Sequence, residues 1–211
     1  MKKLVIIGAG GCGREVLQWA KDINKSKPTW GSFEFIDDNL EALNGKTCDA
    51  PLHKKIQGYQ PEKDADYICC IAKSDLRKNI VESFEANGAH FINIIHPTAV
   101  VSSSSKLGKA VVLYPFSIVS DNALIEDGCI INMYSSVAHD SVVGEYSTIS
   151  AHCDITGMCK VGKYVFMGTS SQMIPSSRIG DNAYICAGSM VMGRVKENTK
   201  VMGNPARKIN I

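Results

Sequence analysis

Two groups of residues in this chain have the types and spacing to do chemistry. The first is His139-Asp140, an imidazole followed at once by a carboxylate, downstream of Asn132. An imidazole titrates near ~6.5 and can take a proton from a nucleophile near neutral pH. A carboxylate partner holds its tautomer and stabilises the imidazolium, while a carboxamide or backbone N–H groups can donate to an oxyanion. The second group is Gly8-Ala-Gly10-Gly-Cys12-Gly13. It follows the apolar run Lys3–Ile7 and precedes helical spacing over Arg14–Ile23. Strand, Gly-x-Gly-x-x-Gly and helix together set an anion on a helix N-terminus with bare backbone close by. A purely structural tight turn is the alternative. Asp37-Asp38 end a second strand, Ser32–Ile36, about where such folds keep an acid for a ribose hydroxyl.

The other histidines offer less. His53 lies in a Lys-rich segment and His90 before a strand, and both read as solvent-facing without a role. His96 precedes Pro97 and reads as a junction residue. His152 is the main rival of His139. Both fall in outward or corner slots, so neither is a core histidine, and an outward histidine is more often plain surface.

The element that must carry His139 is a repeat. Every sixth residue from Val101 to Val191 is apolar, and the position four later, from Ser105 to Val195, is always Ser, Ala, Cys or Val. A period of six fits neither an α-helix nor an alternating strand. It fits short strands with a corner after each, one large and one small side chain pointing inward, stacked as a parallel β-helix. Glycines after the large residue (Gly108, Gly144, Gly162, Gly168, Gly180) are expected to serve the bend through unusual φ. Consecutive strand residues face opposite ways, so Asp140 reaches His139 only if a corner lies there.

Ahead of the repeat, Asp66–Ala72 reads as a third strand, a helix closes at Asn87-Gly88, and Phe91–Ile95 reads as a fourth strand. This βαβ alternation gives a small Rossmann-like parallel sheet. The expected domains are 1–96 and 97–211. Four strands make half a dinucleotide fold, which favours one nucleotide diphosphate over NAD.

The chain of 211 residues has a net charge of +2, which leaves no nucleic-acid footprint. No apolar run is long enough for a signal peptide or a membrane helix. Eight cysteines without a secretion signal point to a reducing cytoplasm. Cys129, Cys153 and Cys159 occupy the small inward slot, Cys69-Cys70 an apolar strand, and no Cys-x-x-Cys pair suggests zinc. With no Cys or Ser paired to a base, a covalent intermediate on the chain is not expected.

The hexad and the closing Val201-Met-Gly-Asn-Pro-Ala-Arg207 resemble the hexapeptide-repeat acyltransferases, which implies a left-handed helix and a homotrimer. The fusion is similar to sugar acetyltransferases of the bacillosamine-type UDP-4-amino-sugar N-acetyltransferase, perosamine N-acetyltransferase and sialic acid O-acetyltransferase kind. The residues that carry this are Gly8–Gly13, Phe35–Asp38, Ile71–Arg77, Ile95–Pro97, and Ile131-Asn132 through Val137-Ala-His139-Asp140 to Gly144-Glu-Tyr-Ser147. The resemblance implies His139 as general base with Asp140 beside it. It implies Gly10, Gly11, Cys12, Asp37, Asp38 and Ala72 around a nucleotide-linked amino sugar. It also puts acetyl-CoA between subunits, near Thr148, Thr169, Ala187 and Gly188, with no metal. Lys160, Lys163, Arg178, Lys200, Arg207 and Lys208 offer charge for its phosphates, though a solvated face explains any single one. Cys12 and Thr148 stand where the family usually has histidines. O-acetylation of sialic acid is the alternative activity. The three-histidine zinc site of a hexapeptide carbonic anhydrase lacks its third ligand here.

Overall fold

The computed structural model describes residues 1–210 and divides into two compact units, Met1–Pro97 and the chain from Thr98 onward. In the first, β1 (Lys2–Ile7), α1 (Gly11–Ser26), β2 (Trp30–Ile36), β3 (Leu52–Lys54), β4 (Ala65–Cys69), α2 (Ser74–Ala86) and β5 (His90–Phe91) follow one another. The strands form one parallel sheet in the order β3-β2-β1-β4-β5. Leu4–Ile7, Phe35, Ile36, Tyr67 and Ile68 are fully buried, as in strands covered on both faces. Val16, Leu17 and Ala20 supply the apolar stripe of α1, and Val81 and Phe84 that of α2.

The sheet has five strands, not the four expected. β3 has no apolar run, being Leu-His-Lys held by pairing with Phe35 and Ile36. The expected strand Phe91–Ile95 is broken into His90–Phe91 and Ile94–Ile95. Helix α1 begins at Gly11 rather than Arg14, so Gly11, Cys12 and Gly13 form its first turn with Gly10 as N-cap.

The second unit is a three-sided parallel β-helix with six stacked strands per face, adjacent coils pairing residues eighteen apart. The first face runs from Val112–Leu113 to Lys200–Met202, the second from Val100–Val101 to Met190–Val191, and the third from Lys106–Leu107 to Arg194–Val195. A short strand, Arg207–Lys208, pairs antiparallel with the last coil. The large inward residues from Leu113 to Val191 are buried, whereas Val101 and Leu107 in the opening coil are half-buried. The small slot does more than save space. Ser147 Oγ donates to Gly162 O at 2.8 Å and accepts from Val165 N at 3.0 Å, and Ser135 and Ser141 bridge coils the same way. Cys129, Cys153 and Cys159 donate to the corresponding carbonyls at 3.1–3.2 Å.

Two expectations about the repeat need correction. Val195 does not fill a small slot. It pairs with Ile179, a large-slot residue, because the last corner is two residues shorter and Gly193 N reaches Ser177 Oγ in its place. The glycines after the large residues also do not supply unusual φ. The left-handed corner lies two residues later, at positions such as Phe116, Asn122, Tyr134, Asp140 and His152, with φ of 53–58° for all but Asp140 at 59°. A Cβ at Gly144, Gly168 or Gly180 would instead sit 2.5–2.6 Å from backbone of the next coil, so close approach requires glycine there.

Candidate functional site

His139 and Asp140 occupy the edge between the second and third faces, just after the strand Ser136–Val137. Asp140 adopts φ 59°, a conformation that Asp and Asn reach more readily than other residues carrying a Cβ. That turn brings the two side chains to one side, and His139 Nδ1 lies 2.8 Å from Asp140 Oδ2. The corner that the pairing needed is present. With the Nδ1 proton donated to Asp140, Nε2 carries the free lone pair. Neighbouring coils fix the corner backbone through Asp140 N to Asp121 O at 3.0 Å and Met158 N to His139 O at 2.9 Å.

The rival histidine has a different setting. His152 also sits at a left-handed corner, but its ring stacks on Tyr134 (centroids 5.0 Å, 10°), which stacks on Phe116. This aromatic column escapes sequence inspection because its members are eighteen residues apart. Its corner belongs to the edge between the first and second faces. Thr169, Ala187 and Gly188 lie on that same edge, with Gly188 N bonded to Thr169 O at 2.9 Å. Asn132 starts a corner there too, and its Oδ1 accepts from Met133 N at 2.7 Å. Thr148 points outward on the first face, half-buried between Ile130 and Phe166. Within one chain, therefore, His139 and Asp140 stand on one edge, while Asn132, Thr169, Ala187 and Gly188 stand on another, a full face away. On the third face Lys160, Arg178 and Arg194 are in direct register, whereas Lys163 is tied to Glu145.

In the first unit, the chain leaves β1 for β2 on one side and returns to β4 on the other. The carboxyl ends of β1 and β4 thus flank a topological switch point, where open α/β sheets bind ligands. Gly10 and Gly11 follow β1 there, and a Cβ on either would meet nothing within 4 Å, which leaves their backbone open to a ligand. Gly13 is required for another reason, since a Cβ would collide with Gly8 O. Ala72 follows β4. Asp37 Oδ2 accepts from Ala9 N at 2.8 Å and so braces the glycine loop, while Asp38 Oδ1 accepts from Gln57 N at 2.9 Å. Sequence reasoning assigned nothing to Arg77, yet it is 1% exposed and its Nη1 donates to Ile71 O and Ala72 O at 2.7 and 3.1 Å. Its signal was a cation on the buried i, i+4, i+7 stripe of α2.

The Cys69 and Cys70 thiols are not poised as nucleophiles. Burial pushes Cys69 up to about 11, and Cys70 is pushed well up by its hydrogen bond with Cys12 and by burial. His90 is exposed, as expected, but bonds Asp66 at 2.9 Å; His96 is buried, edge-on to Trp19 and 3.5 Å from Asp22. Among the described residues no three His, Cys, Asp or Glu side chains converge as a metal site, and no helix is long and apolar enough to cross a membrane.

Residues 3–84 match the PglD N-terminal domain family, and residues 122–157 match the bacterial transferase hexapeptide family (six repeats). UDP-N-acetylbacillosamine N-acetyltransferase of Bacillus subtilis (strain 168) is 26% identical over 115 residues, 54% of this chain and 51% of that protein. The matched stretch thus spans about half the length of that curated relative. The acetyltransferase domain of PglB from Neisseria gonorrhoeae FA1090, solved with acetyl coenzyme A, superposes with a TM-score of 0.90 at 26% identity, covering 99% of both chains. PerB from Caulobacter crescentus, solved with CoA and GDP-perosamine, shares the fold with a TM-score of 0.84 at 24% identity, over 100% of this chain and 98% of that one.

Proposed function

We propose that this chain, a PglD-type domain joined to a left-handed hexapeptide β-helix, is an acetyl-CoA-dependent acetyltransferase that acylates the amino group of a nucleotide-linked amino sugar. The observation that carries the mechanism is the His139 Nδ1–Asp140 Oδ2 bond, which leaves Nε2 free on an exposed edge. The uncharged amine attacks the thioester carbonyl, and Nε2 takes the proton it sheds. Collapse of the tetrahedral adduct breaks the C–S bond, and the imidazolium returns the proton to the departing thiolate, leaving amide and free CoA. Burial takes Cys69 and Cys70 out of consideration as acyl carriers. In the first unit, the uncrowded backbone of Gly10 and Gly11 suits a sugar-nucleotide diphosphate, with Cys12 in the same turn, Asp37 and Asp38 at the adjacent strand end and Ala72 opposite.

The working unit is proposed to be a homotrimer. The proton acceptor and the edge assigned to acetyl-CoA (Thr169, Ala187, Gly188, with Thr148 nearby) are a face apart in one chain, so a second copy is needed to bring unlike edges together. Exposed apolar side chains concentrate on that face and its two edges: Val100 and Ile118 on the face, Phe116 and Tyr134 on one edge, Met158 and Ile174 on the other. A self-complementary patch of this kind suits closed symmetric assembly.

Thiol release from acetyl-CoA, measured against UDP- and GDP-linked amino sugars and free sialic acid, tests the activity. Turnover of a nucleotide amino sugar is expected; turnover of sialic acid alone would move the reaction to O-acetylation. His139→Ala is expected to lower kcat by ~10²–10⁴-fold with sugar-nucleotide affinity little changed.

A further inference from the structure

We propose that Gly157 is a positioning residue whose missing side chain is the seat of the His139 imidazole; this rests on His139 being the base. Gly157 lies one coil below His139 on the same edge. The two corners are linked by Met158 N to His139 O at 2.9 Å, and the next by Ser176 N to Gly157 O at 3.0 Å. Gly157 is not among the residues with positive φ, so left-handed backbone does not call for a glycine there. Nor does it resemble Gly144, Gly168 or Gly180, whose Cβ would strike backbone. The three nearest atoms to a Cβ on Gly157 all belong to His139: Nε2 at 2.5 Å, Cε1 at 2.6 Å and Cδ2 at 3.2 Å. The ring lies across the glycine, clamped at Nδ1 by Asp140 and floored beneath Nε2.

A methyl group there meets the tip of a side chain, so the ring swings away and the coil stays. The swing breaks the 2.8 Å bond to Asp140 and carries Nε2 off the line of the incoming amine. Misplacing a reacting group by about 1 Å costs on the order of 10²-fold. Gly157→Ala is therefore expected to lower kcat about 10- to 100-fold, with KM for both substrates within about twofold and little change in Tm. In a His139→Ala background the same substitution should cost nothing further, since the ring it displaces is gone.

The four proteins (wild type, each single variant and the double variant) are compared by steady-state thiol release and thermal melting. Near-normal kcat in Gly157→Ala, while His139→Ala is crippled, overturns the seat and spares the base. An equal loss from Gly157→Ala with and without the imidazole also overturns it. If Gly157→Ala does not fold, the double variant decides: a folded double supports the seat, and an unfolded one assigns the glycine to the coil. Near-normal kcat in His139→Ala removes the base reading itself.

Discussion

Asp140→Asn isolates the carboxylate from the corner it occupies. Asn and Asp are nearly isosteric and both tolerate the left-handed conformation, so φ 59° is kept and the fold should be indifferent. What changes is the bond at 2.8 Å to His139 Nδ1. An acceptor-only carboxylate demands Nδ1–H and leaves Nε2 bare; a carboxamide can turn its NH2 toward Nδ1 and favour the tautomer whose Nε2 is already protonated. A hydrogen bond to a charged group is worth about 1.5–3 kcal/mol when protected, and an exposed ion pair about 0.2–1 kcal/mol. The two side chains are 57% and 52% exposed, which places this bond toward the lower end before substrates cover it. A loss of about 1–2 kcal/mol in transition-state stabilisation follows, or about 5- to 30-fold in kcat. Steady-state thiol release under saturating donor, with Tm measured alongside, gives the answer. An unchanged kcat would refute the coupling of the two groups. A kcat loss matched by a several-degree drop in Tm would show that Asp140 serves the corner instead.

Two further outcomes test the scaffold. Ser147→Ala strips partners from buried Val165 N and part-buried Gly162 O and should cost about 2–3 kcal/mol in denaturant unfolding, whereas Ser147→Cys, imitating Cys129, should cost about 1 kcal/mol; equal losses would contradict a hydrogen-bonding role. The hydrogen bond from Lys3 holds the Glu62 carboxyl down at about 2, so its stabilisation is complete above ~4.5 and is lost as pH falls from there toward 2. Glu62→Gln should lower stability near neutral pH by no more than about 1 kcal/mol, given the exposure of the side chain, and the gap should close by about pH 2; a constant gap would contradict the ion pair.

How far the sequence was legible follows from the range over which each signal acts. The hexad is local and repeats, so faces, edges and the large inward column could be read directly. It misled at Val195 because the last corner drops two residues and leaves an apolar side chain four places after Val191, where a small-slot residue was expected. The glycines of the repeat were found, but their cause lies in the neighbouring coil, which no local pattern reports. The same holds for Gly157 beneath His139 and for the Phe116–Tyr134–His152 column. In the first unit, β3 is invisible because its three residues carry no periodicity and exist as a strand only through β2. Asp37 was read as a ligand residue from its place after a strand, and its bond to Ala9 N adds a bracing role that spacing could not supply.

The corner itself explains how this repeat brings an imidazole and a carboxylate together from two adjacent residues. Along a strand, neighbours point to opposite sides, so an imidazole and a carboxylate in sequence cannot meet. A helix brings together residues three or four apart, not neighbours. At a left-handed corner the chain reverses the second side chain, and an aspartate enters that conformation at less strain than most residues with a Cβ. Asp140 thus satisfies the backbone and orients the imidazole in one position, while coils above and below fix it through Asp121 O and His139 O. The edge so built is exposed, and in the proposed reading acetyl-CoA lies along a different edge of the same chain. Under that reading a neighbouring copy is therefore needed, and dilution that dissociates the assembly is expected to abolish turnover while leaving each chain folded.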